Sequence, residues 1–141
     1  MEQQLNEKIK RYIQDVKEAI YEPTIERELP SIPLVLEEEA FFILLPFFNG
    51  ERETKERYRE AIAIGAVFSA LRAHSRVHLE NSSSTEQQLT VLAGDHFSGI
   101  HYRILASLRS FPLIRHLSEA IARANEEKTD LFFRQLSTST D

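Results

Sequence analysis

At the centre of the chain stands the stretch Val91-Leu92-Ala93-Gly94-Asp95-His96-Phe97-Ser98-Gly99. It places a carboxylate and a patch of small residues inside a helix that the sequence predicts for residues 85–110. The middle of this helix is apolar or small on nearly every side, which is typical of a helix buried between neighbours. Because Gly inside a helix costs up to about 1 kcal/mol relative to Ala, we expect another helix to approach closely here. That helix belongs either to this chain or to a partner.

The sequence on both sides of this stretch also predicts helices, because apolar side chains recur there at intervals of three and four residues. Phe111-Pro112 is expected to end the central helix, since the residue before a proline disfavours helical geometry. Prolines at 23, 30 and 33 leave room for at most a short helical turn between the first two helices. The chain therefore reads as an all-α helical bundle. The predicted helices span residues 2–21, 34–48, 53–80, 85–110 and 113–125, followed by a short one that carries Leu131, Phe132, Phe133 and Leu136.

Length and composition restrict the possible functions. A chain of 141 residues is long enough for one domain with a real core, so we expect a single domain over 1–141 with a frayed tail at 137–141. The formal net charge of −5 and the lack of a basic run argue against a nucleic-acid partner. Without cysteine the chain has no disulfide, thiolate metal site or cysteine nucleophile. The polar N-terminus and the short apolar runs predict a cytoplasmic protein without a membrane span.

Asp95 is the most unusual polar residue, because its sequence neighbours are apolar. A carboxylate in such surroundings is costly unless it is paired or hydrogen-bonded. It is either an anchor that fixes the packing of two helices or subunits, or a structural residue satisfied within this chain. We expect no catalytic role for it, since no second carboxylate is placed to work with it.

Two other groups of residues raise a possible chemistry. His74 and His78 are four residues apart, which is also the spacing of helical zinc ligands, but Ser75 stands where a metalloprotease motif has Glu and no third ligand is evident. We therefore expect no metal site. The three glutamates at 37–39 are predicted to form a solvated helix face.

The second helix carries more large apolar side chains than one small core can take. Three interpretations stay open: contact with a partner, packing within this chain, or a groove for an apolar ligand. The side chains concerned are Phe41, Phe42, Leu44, Leu45, Phe47 and Phe48.

The central stretch, extended through Ile100-His101-Tyr102, resembles the small subunit of bacterial hexaprenyl and heptaprenyl diphosphate synthases. The resemblance covers most of the chain and is tightest over residues 57–108. Catalytic relatives hold magnesium with an aspartate-rich DDxxD motif, whereas this chain has no Asp-Asp pair. Val77-His78-Leu79-Glu80-Asn81-Ser82-Ser83 stands roughly in that place, and a lone Glu80 cannot bridge several magnesium ions. The resemblance implies a truncated, degenerate isoprenoid-synthase fold.

The resemblance also implies a non-catalytic subunit that binds no cofactor itself. Its partner would be a larger prenyltransferase subunit with DDxxD motifs, which binds Mg²⁺, the allylic diphosphate and isopentenyl diphosphate. This chain would be required for activity and for the long product used as the menaquinone side chain. In such enzymes the subunits associate around this helix, which predicts an interface made of Gly94, Asp95, Phe97, Ser98, His101 and Ile104.

Two further functions remain open from the residues themselves. The chain can instead be read as a homodimeric helical module with a regulatory or scaffold role, which needs no second polypeptide. A small independent enzyme or apolar-ligand binder would need a closed pocket with convergent polar groups, and the sequence identifies none.

Overall fold

The computed structural model describes residues 2–30, 35–76 and 84–139, the side chains of 125, 128–133 and 135–139 excepted. These residues form six α-helices and no strand, which confirms the predicted all-α fold. The helices are α1 (Glu2–Ala19), α2 (Pro23–Glu28), α3 (Glu37–Phe48), α4 (Lys55–Ser75), α5 (Ser84–Ser107) and α6 (Phe111–Ser139). In these ranges, no helix is both long enough and apolar enough to pass through a bilayer.

The core forms where α1 and α3 pack against the paired helices α4 and α5. Tyr12 of α1 is fully buried, and its hydroxyl donates a 2.5 Å hydrogen bond to the carbonyl of Ala61 on α4. A Cβ at position 65 would lie 2.6 Å from that hydroxyl oxygen and 2.8 Å from Val16, so α1 approaches α4 closely because residue 65 is Gly. Burial raises the pKa of Tyr12, and the phenol therefore stays a neutral hydrogen-bond donor.

α4 and α5 form the most extensive helix pair of the fold. The buried residues of α4 are nearly all small, because small side chains allow two helix axes to come close together. They are Ala61, Ala63, Gly65, Ala66, Val67, Ser69, Ala70 and Ala73.

The apolar side chains of α3 are mostly used inside the chain. Leu44 is fully buried, while Phe41, Phe47 and Phe48 are partly buried against the core. Phe42 is the exception, with 69% of its surface exposed. Packing within the chain therefore accounts for most of the apolar side chains of α3. Among the aromatic side chains of this helix, only Phe42 is exposed enough to remain a candidate for contact with a partner.

The prediction that 37–39 is simply a solvated face is wrong for one of its three residues. Glu39 is half-buried, accepts a hydrogen bond from the backbone N–H of Leu36, and forms a 2.7 Å ion pair with Arg72. Its carboxylate thus caps the first turn of α3 and ties that helix to α4. Glu37 and Glu38 are exposed as predicted.

The predicted end of α5 and the predicted start of the following helix are both wrong. α5 ends at Ser107 in a left-handed turn at Arg109 (φ 56°), where Ser110 N–H bonds back to the carbonyl of Leu105. Phe111-Pro112 then begins α6, because a proline in the first helical turn lacks only an N–H that has no partner there anyway.

The predicted helix over 113–125 and the short one after it are a single helix, α6. The segment between them, residues 126–130, is polar but contains neither Gly nor Pro, so nothing in it breaks the helix. The helix also takes in residues 137–139, which were expected to fray.

Candidate functional site

Close packing at the inner face of α5 explains why one of the two glycines of this helix is needed. Gly94 is buried, and a Cβ built there would lie 2.8 Å from the ring of His74 on α4. The close helix approach predicted from the small residues is therefore made, at this position, by a helix of the same chain. The other buried residues of this face are Thr90, Ala93, Phe97, His101 and Leu105.

The opposite side of α5 is exposed although it is not strongly polar. We call Leu92, Asp95, Gly99 and Tyr102 the outer face of α5; their spacing of three, four and three residues places them on one side of the helix. Leu92 is 61% and Tyr102 57% exposed. A Cβ at Gly99 would meet no atom within 4 Å, so nothing in the described chain requires a glycine there.

Asp95 is not in the apolar setting that its sequence neighbours predicted. Its side chain is 66% exposed, and the His74 Nε2, which carries a charge only when that ring is protonated, lies 3.8 Å from its Oδ1. The correction follows from helix phase: Ala93 and Gly94 take the inward positions, so Asp95 turns outward. A long, exposed pair of this kind contributes about 0–1 kcal/mol, and the fold of this chain gives little reason for a carboxylate here.

A groove of about 500 Å³ runs between α5 and α6, beside the outer face. Most of the residues that line it are polar in type, and Ser118 and Ile121 are contributed by α6. The α5 residues are Asp95, Ser98, Gly99, His101 and Tyr102.

His101 lies at the inner edge of this groove and is only 3% exposed. Burial lowers the pKa of its imidazole, and the nearby backbone of Ser98 opposes that effect. In the part of the chain that the structure describes, neither ring nitrogen has a hydrogen-bond partner that meets ordinary geometry. The ring is thus a neutral, desolvated group on the inner side of α5.

The structure separates the six residues that were predicted to form an interface. Gly94, Phe97 and His101 are buried within this chain, Asp95 is exposed, and Ser98 and Ile104 are half-buried. That a second subunit contacts these residues stays a prediction.

The prediction omitted three residues that the structure adds to this face: Leu92, Gly99 and Tyr102. Their common spacing with Asp95 was visible in the sequence. It carried no decisive signal there, because apolar residues surround α5 on nearly every side.

No metal centre is assembled from the described residues, among which no group of three or more His, Cys, Asp or Glu side chains is placed to hold an ion. His74 packs against Gly94 instead. Its predicted companion His78 lies in residues 77–83, outside the described ranges, as does Glu80.

Comparison with known families decides what this helical chain is related to. The family model for heptaprenyl diphosphate synthase (HEPPP synthase) subunit 1 matches residues 31–141, which is most of the chain. The chain belongs to this family. The family membership confirms the resemblance inferred from the central stretch.

One curated relative of the subunit 1 family is heptaprenyl diphosphate synthase component 1 from Geobacillus stearothermophilus. The chain is 36% identical to it over 81 residues, which are 57% of this chain and 37% of that protein. The match thus spans little more than a third of the relative's length. No solved structure matches the chain.

Proposed function

We propose that this chain is the non-catalytic auxiliary subunit of a heteromeric trans-polyprenyl diphosphate synthase in the cytoplasm. A larger subunit with DDxxD motifs would hold Mg²⁺, the allylic diphosphate and isopentenyl diphosphate. The non-catalytic role is supported by the sequence, which contains no Asp-Asp pair to hold the metal and diphosphate. The product would be a hexaprenyl or heptaprenyl diphosphate for the menaquinone side chain.

The observation that carries the proposal is the exposed outer face of α5. Leu92 and Tyr102 leave more than half of their surfaces in water, and Tyr is among the residues enriched in protein interfaces. Gly99 lies between them with open space above it. A glycine lets another backbone approach closely. Contact with the larger subunit would therefore compensate for the helix stability that is lost by having Gly at position 99.

Asp95 then sets a chemical requirement on the partner. Covering the outer face would take its carboxylate out of water, which is unfavourable unless donors replace the water. His74 lies near enough to supply part of that compensation. We therefore expect the larger subunit to present an N–H group or a cation opposite Asp95.

The physical role of the subunit would be to complete a dimer whose catalytic half is open or unstable alone. Its apolar helices would also wall the tunnel into which the growing chain extends. Both effects require contact with the catalytic subunit rather than a reactive group on this chain.

The test is to purify this chain and the DDxxD-bearing subunit of the same cells, and to assay isopentenyl diphosphate incorporation singly and mixed. We expect background incorporation from each polypeptide alone and long-chain product from the mixture. Full activity of the larger subunit by itself would refute the proposal. A stable homodimer of this chain that neither binds nor affects the larger subunit would instead support the regulatory or scaffold module.

A further inference from the structure

A second recess lies on the other side of α5, between α1, α4 and α5. Its volume is about 280 Å³. Ala19 of α1 closes one side, and the remaining lining comes from α4 and α5. Those residues are Arg59 and Ile62 from α4, and Ile100, Arg103 and Ile104 from α5. We call it the arginine–isoleucine slot.

The two arginines of the slot have no carboxylate partner among the residues that the structure describes. Both residues are exposed, and neither side chain forms an ion pair or a hydrogen bond with any residue in the described ranges. The two arginines are 44 positions apart in the sequence and lie on different helices, yet they border one recess. Because a guanidinium presents several N–H donors in a fixed plane, paired arginines suit the oxygens of a phosphate or diphosphate.

The rest of the slot is apolar. Ile62, Ile100 and Ile104 are half-buried and form its floor. A free phosphate would not use this surface, whereas a hydrocarbon chain attached to a phosphate would remove it from water. The slot is slightly smaller than ordinary small-molecule pockets of about 300–1,000 Å³, so it suits the head and first carbons of a longer molecule.

We propose that the arginine–isoleucine slot binds an amphiphile with a phosphate-bearing head, the head between Arg59 and Arg103 and the first part of its apolar chain against the isoleucines. Two sources supply this chemistry: a soluble prenyl diphosphate and the phospholipids of a bilayer. The inference rests on the proposed function only in the choice of the prenyl diphosphate as a probe. The charges and the apolar floor stand independently of it.

The experiment measures binding by the isolated full chain, using farnesyl diphosphate in equilibrium dialysis and phosphatidylcholine vesicles with and without phosphatidylglycerol in sedimentation. Inorganic diphosphate is the head-only probe. The test variant is Arg59→Gln/Arg103→Gln. The matched control is Arg115→Gln/Arg123→Gln, which removes the same charge from two exposed positions of α6. Thermal melting followed by circular dichroism shows whether each variant stays folded.

We expect one amphiphile to bind at least about tenfold more tightly than its head-only or uncharged counterpart, and the Arg59/Arg103 variant to lose about tenfold or more. The control variant should keep wild-type affinity. Binding of farnesyl diphosphate identifies the soluble source, and binding confined to anionic vesicles identifies the lipid. The proposal is overturned if neither binds, if both variants lose affinity equally, or if inorganic diphosphate binds as well as farnesyl diphosphate in the absence of vesicle binding.

This readout is separate from the proposed function, because it needs neither the larger subunit nor catalysis. If the slot is empty of ligand while the mixed enzyme is active, the slot proposal fails and the subunit proposal stands. If the slot binds its amphiphile but the larger subunit is fully active alone, the reverse holds.

Discussion

The two glycines of α5, one on each face of the helix, have different surroundings. Gly94 is pressed against the His74 ring, with 2.8 Å between that ring and the place of a Cβ. Gly99, five positions further on, has open space where its Cβ would be. The described residues thus account for the inner glycine, but they give no structural reason for the outer one or for the exposure of Leu92 and Tyr102. The difference agrees with our proposal that the inner face serves folding and the outer face serves association.

The largest effect should come from filling the open space at the outer face. Gly99→Trp should weaken binding to the larger subunit by about 100-fold or more, since a bulky side chain at a packed interface separates the surfaces around it. Its own stability should not fall, because Gly is the poorest helix former after Pro. Calorimetry of the mixture and isopentenyl diphosphate incorporation measure the effect.

The control for that variant is Gly99→Ala, which adds a single methyl group. It should associate much better than the Trp variant and fold at least as stably as wild type. If the Gly99→Trp variant binds the larger subunit with wild-type affinity, the outer face of α5 is not part of the interface.

A smaller loss should follow from truncating the aromatic side chain of the outer face. Tyr102→Ala should weaken association by about 2 kcal/mol, or roughly 30-fold, as expected for a buried interfacial tyrosine. Tyr21→Ala is the matched control, because Tyr21 is also 57% exposed but lies beyond the end of α1. Equal losses of affinity for the two variants would show that any exposed tyrosine contributes to association and that the outer face of α5 is not the binding surface.

At the inner face the effect should appear in folding instead of association. Gly94→Val should lower the free energy of unfolding by about 1–3 kcal/mol, because the new side chain overlaps the His74 ring. Urea denaturation of the isolated chain measures it. The double variant Gly94→Val/His74→Ala should recover part of the loss. Additive losses would place the strain elsewhere.

The smallest predicted effect is a pH dependence at His101. Burial lowers the pKa of this imidazole in the folded chain, while an unfolded histidine has a pKa near about 6.5. The unfolded state therefore binds more protons below about pH 6.5, and stability should fall as the pH drops from there toward the lowered folded pKa. Above about 6.5 the group contributes no slope.

The variant His101→Phe should show a flatter stability profile between about pH 6.5 and 5, by at most about 1.4 kcal/mol per pH unit. Urea denaturation at each pH provides the comparison with wild type. His116→Gln is the control, since His116 is exposed. An unchanged profile in the His101 variant would mean that the inner edge of the groove is wet.

The sequence predicted the helices best where amphipathic periodicity and a helix breaker agreed, as for α1, which ends before Pro23. It divided α6 into two helices because a polar stretch without Gly or Pro resembles a loop when only apolar positions are counted. It also placed Phe111-Pro112 at the end of a helix, where the left-handed turn at Arg109 makes it a beginning. Such turns depend on backbone geometry that residue type does not determine.

The candidate site was harder to predict for a physical reason. α5 is apolar or small on nearly every side, so its sequence pattern does not distinguish the face that packs within the chain from the exposed face. That is why Asp95 was expected among apolar neighbours, and why Phe97 and His101 stood beside it in the predicted interface. Helix packing separates them, and Tyr102 then appears as a surface residue.

The most direct test of the account is hydroxyl-radical footprinting of this chain alone and mixed with the DDxxD-bearing subunit. The account predicts that Leu92 and Tyr102 become protected in the mixture, while Tyr21 and Phe42 are oxidised as before. Protection of Phe42 with no change at Leu92 and Tyr102 would place the interface on α3. Complex formation with no change at the two α5 residues would contradict the claim that the outer face of α5 is where the catalytic subunit binds.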